Sequence, residues 1–200
     1  MNPFAVVRDF EKALAEYCGA PDAVATTSCT MALLMALAWF LEQRGAGEVT
    51  IPKLTYVGVG MSVLNSGHRI AFRDEDWRGE YQCAPLPLWD SARRLTSGMY
   101  RAGAMQCLSF HWTKHLSIGQ GGAVLLDDPE AAAWLKRARF DGRTEGVAPK
   151  DDVFDMIGWH AYLMPRDAAE GLTRLALLPR HNDDLPWSDY PDLSQAPVFR

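Results

Sequence analysis

Two hundred residues suffice for one domain with a full hydrophobic core, and 48% apolar with 22% charged residues is ordinary for a globular chain. The net charge of −5 supplies no global basic field for nucleic acid or an anionic membrane. The longest apolar run, 31–41, falls short of the roughly 20 residues that span a bilayer, and no basic-then-apolar leader opens the chain, so the expectation is a cytoplasmic protein.

Taken in chain order, Asn2-Pro3 signals a helix start, with Phe10, Leu14 and Tyr17 at helical spacing and Gly19 as the stop. A short strand is expected at 24–27, a strong helix at 30–44 closed by Gly45, and a strand at 48–51 ended by Pro52. A helix at 55–65 and a strand at 69–72 follow. The stretch 74–87 reads as irregular, and a short strand over 86–89 ends on Asp90. Buried strands are expected at 105–110 and 123–126. A helix opens at Asp128-Pro129-Glu130, with acids where the helix dipole favours them, and a last helix covers 166–178. Lys136, Arg137, Arg139 and Arg143 read as a solvated helix face and the loop after it. Residues 1–180 form the expected domain and 181–200 an irregular, proline-bearing tail.

Strands alternating with helices predict an α/β fold, a layered sandwich around a mostly parallel sheet. Ligands of such sheets bind beyond the carboxyl ends of the strands, so the residues closing each strand are the candidates for chemistry. Thr27-Ser28-Cys29-Thr30 joins a strand to a helix whose free first-turn amides favour a phosphate, although Ser and Thr there also serve as plain caps. Asp90 closes an apolar run, and a buried acid needs a cationic or hydrogen-bonding partner. Lys114 lies among apolar and aromatic residues that disfavour its ammonium form and free an amine for a Schiff base; Gly119-Gln120-Gly121-Gly122 follows it. His111 and His115 stand i, i+4, but no HExxH or CxxC accompanies them, so no metal is expected. Cys18, Cys29, Cys83 and Cys107 form no CxxC pair, which favours reduced thiols.

The order of these features, with the stretches FEKALAEYCGA, TTSCTMALLMAL, VTIPKLTYVGVGMSVLNSG, LWDSA, SFHWTKHLSIGQGGAVLLDDPE and DAAEGLTRL, resembles the sugar aminotransferases of the DegT/StrS type over most of residues 9–175. These are pyridoxal 5'-phosphate (PLP) enzymes of fold type I, the aspartate-aminotransferase type. The resemblance implies the PLP-binding large domain of that fold, a three-layer sandwich. It implies Lys114 as the residue that forms the aldimine and moves the substrate Cα proton. Asp90 would pair with the pyridine nitrogen. Thr30, the Met31 amide and Ser109 would hold the phosphate, and Tyr56 would stack on the ring. It also implies a homodimer with shared active sites, His160 standing where many relatives present an asparagine to the partner's phosphate.

Several positions depart from the family pattern. Cys29 replaces a glycine, Arg93 replaces a Gln or His near the cofactor's 3-hydroxyl, Gln120 replaces a glutamate, and Tyr162 replaces an arginine. The segment between Asp74 and Asp90 is much shorter than in the family, and the stretch that would form the C-terminal small domain is not present. The resemblance therefore implies amino transfer to a keto-sugar or similar molecule. The alternative is PLP-dependent decarboxylation or other Cα chemistry on an amino-acid-like group, with a nucleotide-linked substrate in view. A third reading, a non-catalytic PLP-fold scaffold, has no need of Lys114 or Asp90.

Overall fold

The computed structural model describes residues 2–186 and 189–200; two residues of the expected tail, 187 and 188, lie outside the described residues. Helix α1 is Ala5–Cys18, strand β1 Asp22–Thr26, helix α2 Cys29–Arg44, strand β2 Glu48–Pro52, helix α3 Val57–Asn65 and strand β3 Arg69–Arg73. Strands β4 (Tyr81–Gln82), β5 (Leu88–Asp90), β6 (Met105–Ser109) and β7 (Gly122–Leu126) follow, then helices α4 (Pro129–Ala138) and α5 (Pro165–Leu177). Asp128 caps α4 by accepting from the amides of Glu130 and Ala131, and Gly19 closes α1 in the left-handed conformation.

Five strands form one sheet in the order β1-β7-β6-β5-β4, and β2 with β3 forms a second piece. Pairing is parallel at β5–β6 and β2–β3, and antiparallel at β1–β7, β6–β7 and β4–β5. The sheet is thus mixed, because β7 and β4 reach their neighbours through short connections that reverse the chain. An antiparallel bridge between Thr50 and Ala84 links the two pieces at the β4 edge.

Alternate strand residues feed opposite faces, which produces the three layers. Val24, Val124, Leu126 and Cys107 pack with α2, α3 and α4, whereas Ala23, Ala25, Leu125 and Leu108 pack with α1 and α5. Helix α2 is apolar on nearly every side and is correspondingly buried along most of its length.

Two polar clusters pin the layers together. Arg139 is not on a solvated face, as its basic neighbours suggested. It is 3% exposed, pairs with the buried carboxylate of Glu11, and donates to the Ala25 carbonyl at 2.7 Å. Glu11 also accepts from the Ala25 amide at 2.7 Å, so α1, β1 and the end of α4 are cross-linked. Buried Glu80, just before β4, takes Arg94, Arg101, Ser91 and Gln106, which holds the short 74–87 segment against β5 and β6. That segment contains β4, where the sequence indicated only irregular chain.

The tail is likewise more ordered than expected. It carries 3-10 turns at Leu193–Gln195 and Pro197–Phe199, and Leu193 is buried and bonded to the Lys53 carbonyl.

Gly122 sets the close approach of β7 to α2. A Cβ there would lie 2.3 Å from the Cys29 nitrogen and 2.4 Å from the Ser28 carbonyl carbon. Gly122→Ala is therefore expected to destabilise the fold by about 1–3 kcal/mol, because the obstacle is backbone that cannot rotate away. Chemical denaturation measures this; a loss below 0.5 kcal/mol, the scale of a neutral surface change, would refute it.

Candidate active site

The amino end of α2 and the carboxyl ends of β5 and β6 converge on a cavity of about 730 Å³. Each wall is placed by a feature already described. The sheet carries Asp90 and Ser109 on the last residues of β5 and β6, and the β6–β7 connection carries Lys114.

Asp90 forms the floor. It is 5% exposed and stands directly opposite Tyr81 in the β4–β5 register. Tyr81 donates to its Oδ2 at 2.8 Å, the Ala92 amide donates to Oδ1 at 2.9 Å, and the Cys29 thiol lies 3.9 Å from Oδ1. Burial pushes the Asp90 carboxyl above the usual carboxylate range, while Tyr81, the Ala92 amide and the charge of Lys114 pull it back down. Cys29, in the family's glycine position, is itself held well above the usual thiol range by burial and then by Asp90, so it remains a neutral SH.

Lys114 sits in a connection anchored at both ends. Phe110 and Leu116 are fully buried, the Phe110 amide bonds to the Gly121 carbonyl at 2.9 Å, and the Ile118 amide bonds to Phe110. The Lys114 ammonium is disfavoured, first by burial and then by the Arg93 guanidinium; Tyr190, Asp90 and Cys29 act the other way. An amine so placed is available as a nucleophile or base at lower pH than a free lysine.

Thr30 lies in the first turn of α2 and lines the cavity together with Ser28, whose Oγ accepts from the Met31 amide at 3.1 Å. The amide of Met31 is thus engaged in capping the helix, and Met31 does not line the cavity. Tyr56 borders the cavity at the start of α3, with its ring against Gly58; a Cβ at Gly58 would meet that ring at 2.6 Å and the Thr30 hydroxyl at 3.1 Å.

Of the residues singled out from sequence, the cavity brings together Thr30, Tyr56, Asp90, Arg93, Ser109 and Lys114. His160 lies elsewhere, with its side chain 71% exposed and Nδ1 2.8 Å from Asp141. His111 and His115 do not share a helix face, because the segment that carries them is a series of turns. His111 contacts the Thr113 hydroxyl at 3.0 Å and His115 the Asp183 carbonyl at 2.9 Å. Among the described residues no three His, Cys, Asp or Glu side chains are grouped to hold a metal ion.

Three aromatic residues at the site carried no sequence signal. Trp77 and Tyr190 line the cavity, and Tyr81 supports its floor. The Trp77 ring meets Tyr81 edge-on at 4.8 Å and lies nearly parallel to Tyr190 at 6.5 Å, while Arg93 donates to the Tyr190 hydroxyl at 3.2 Å. Trp77 and Tyr81 come from the stretch that had no periodicity, and Tyr190 from the proline-bearing tail.

This fold is that of the PLP-dependent sugar aminotransferases. AtS13 from Actinomadura melliaura superimposes with a TM-score of 0.74 at 22% identity, covering 86% of this chain and 59% of that one. PseC from Helicobacter pylori, an aminotransferase involved in the biosynthesis of pseudoaminic acid, superimposes with a TM-score of 0.69 at 21% identity, covering 84% and 56%. The chain belongs to the DegT/DnrJ/EryC1/StrS aminotransferase family, whose profile matches residues 4–82 and 97–184. It is 26% identical to GDP-perosamine synthase from Caulobacter vibrioides over 220 aligned positions, spanning 86% of this chain and 57% of the relative. It is 37% identical to the spore coat polysaccharide biosynthesis protein SpsC from Bacillus subtilis, spanning 70% of this chain and 47% of the relative. The chain therefore spans about half the length of these relatives. None of the proteins named here favours the decarboxylase alternative.

The Lys114 environment predicts a measurable pH response. Removing the Arg93 charge removes a repulsion that disfavours the ammonium, so Arg93→Gln shifts the Lys114 pKa upward. The rate of Lys114 acylation by a small neutral reagent, followed by mass spectrometry across pH, is expected to have its midpoint below that of an exposed lysine and to move to higher pH in the variant. A midpoint that stays put or falls would contradict the assignment.

Proposed function

We propose that this chain binds pyridoxal 5'-phosphate in the 730 Å³ cavity and transfers an amino group to a keto-sugar or a similar, in part nucleotide-linked, small molecule. The observation that carries this reading is a buried carboxylate at Asp90 and a destabilised ammonium at Lys114 lining one cavity beside the amino end of a helix. The residues suit the cofactor chemically: a carboxylate for a ring N–H, an amine for an aldehyde, and helix amides with hydroxyls for a phosphate.

Bound there, the cofactor supplies an electron sink for the bonds at the substrate carbon that bears the amino group. Lys114 would hold the cofactor's aldehyde, and its amine, with the ammonium disfavoured, would serve to move the proton at that carbon. Asp90 would pair with the ring nitrogen and favour its protonated form. Thr30, Ser109 and the amino end of α2 would hold the phosphate, although the Met31 amide expected there is taken by the Ser28 cap, and Tyr56 would cover the ring. Arg93 would face the cofactor's 3-oxygen, and Trp77 and Tyr190, which line the cavity, would limit access of water. Residues 1–180 would constitute the main cofactor-holding unit, to which the 181–200 tail adds Tyr190.

Purified protein mixed with PLP is expected to turn yellow, and Lys114→Ala to lose both that absorbance and borohydride-stable attachment of the cofactor. Turnover should fall by about 10²–10⁴-fold with loss of the proton carrier. With an amino-acid donor and a keto-sugar acceptor, one equivalent of keto acid should appear per amino-sugar formed. Carbon dioxide release in place of keto acid, or a colourless protein at saturating PLP, would defeat the proposal.

We further propose a cytoplasmic homodimer in which His160 serves the partner's phosphate site. Its support is apolar side chains left in solvent on one loop, Val153, Phe154 and Ile157 at 64%, 66% and 80% exposure, with Trp112 and Tyr56 exposed near the cavity. No helix among the described residues is long and apolar enough to cross a membrane. Sedimentation should give twice the mass of one chain, and the double change Phe154→Glu, Ile157→Glu should shift it to monomer. A monomer for the unmodified protein would dispose of this part.

A further inference from the structure

Resting on the cofactor reading, we propose that Tyr81 is a positioning residue that holds the Asp90 carboxylate in its charged form and in place for the cofactor's ring nitrogen. Tyr81 comes from the short segment ahead of β5. The β4–β5 register sets it directly opposite Asp90 on the same face, so its hydroxyl arrives at Oδ2 at 2.8 Å with both side chains buried.

The direction of the hydrogen bonds follows from a count of protons. An ionised carboxylate only accepts, so Tyr81 spends its single proton on Asp90. The 2.6 Å contact between Tyr81 and Thr55 must then have Thr55 as donor. Thr55, Tyr81 and Asp90 form a one-way chain that ends on the carboxylate, and such charge-assisted bonds are the stronger kind.

The surroundings of Asp90 give this chain its importance. Cys29 from α2, Cys83 beyond β4 and Cys107 from β6 all feel the carboxylate, and burial keeps all three thiols neutral. Charge on Asp90 is therefore balanced by its hydrogen-bond donors and by Lys114, which the reaction itself engages. Without the phenol, a buried carboxylate in this setting takes up a proton more readily and ceases to hold a ring N–H.

Two measurements on Tyr81→Phe test the proposal, one of them without cofactor. In the PLP-free protein, losing the donor moves the folded-state pKa of Asp90 further above its unfolded value. An acid shifted in that direction loses stability as pH rises through that window and is unaffected below it. The gap in melting temperature between unmodified and variant protein is thus expected to be wide at pH 8 and to shrink as pH falls. With PLP, the variant should bind about tenfold more weakly at neutral pH, the scale of one hydrogen bond to a charged group, and the deficit should narrow toward alkaline pH. Thr55→Val is expected to show both trends at smaller amplitude, and it decides the matter if Tyr81→Phe does not fold.

Parallel stability curves across pH, or a pH-independent affinity deficit, would overturn the proposal and reduce Tyr81 to packing. An unmodified protein that takes up no PLP while the stability gap still follows pH defeats the cofactor reading and leaves the Tyr81–Asp90 coupling standing.

Discussion

A carboxylate at 5% exposure is the constraint around which this structure is arranged. Leaving Asp90 charged among apolar residues costs several kcal/mol unless donors replace the water it has lost. The fold supplies them from three directions. Strand β4 brings the Tyr81 phenol, the backbone after β5 brings the Ala92 amide, and the β6–β7 connection brings the Lys114 charge. Each depends on packing some distance away, since β4 is held by the Glu80 cluster and the connection is anchored by Phe110 and Leu116.

Much of this was legible from the residues alone. Helices α1, α2, α4 and α5 announce themselves by spacing and caps, and their ends fall within a few residues of expectation. Asp90, Ser109 and Lys114 were found because strand ends in α/β sheets face a common cleft, and that geometric rule needs no contact information. What escaped detection had no local signature. Strand β4 is two residues long, below any period, and its place is fixed by the buried Glu80 that its neighbours neutralise. Arg139 looked like one more exposed base because its partner, Glu11, lies 128 positions away in sequence. The His111–His115 spacing shows the same limit of local pattern: i, i+4 carries meaning only on a helix, and this stretch turns repeatedly.

The departures from the family pattern acquire physical content in the same light. Cys29 places sulfur against Asp90 in the family's glycine position, while the close approach of α2 to the sheet is preserved by Gly122 on the facing strand. Arg93 takes a position from which it both disfavours the Lys114 ammonium and reaches the Tyr190 hydroxyl, so one side chain couples Lys114 to the tail. The shortened 74–87 segment also carries out a task, because its aromatic residues build one wall and support the floor of the cavity.

The cavity thus draws on the start of α2, the start of α3, Trp77, the ends of β5 and β6, the β6–β7 connection and Tyr190, which no single element contains. A pocket of this kind exists only when the three layers and the tail are all in place, so a ligand that fills it favours the folded chain as a whole. Conversely, the buried acid and the destabilised ammonium are each unfavourable for the fold taken alone. Selection for stability would remove them, and their convergence on one cavity marks it as the candidate functional site.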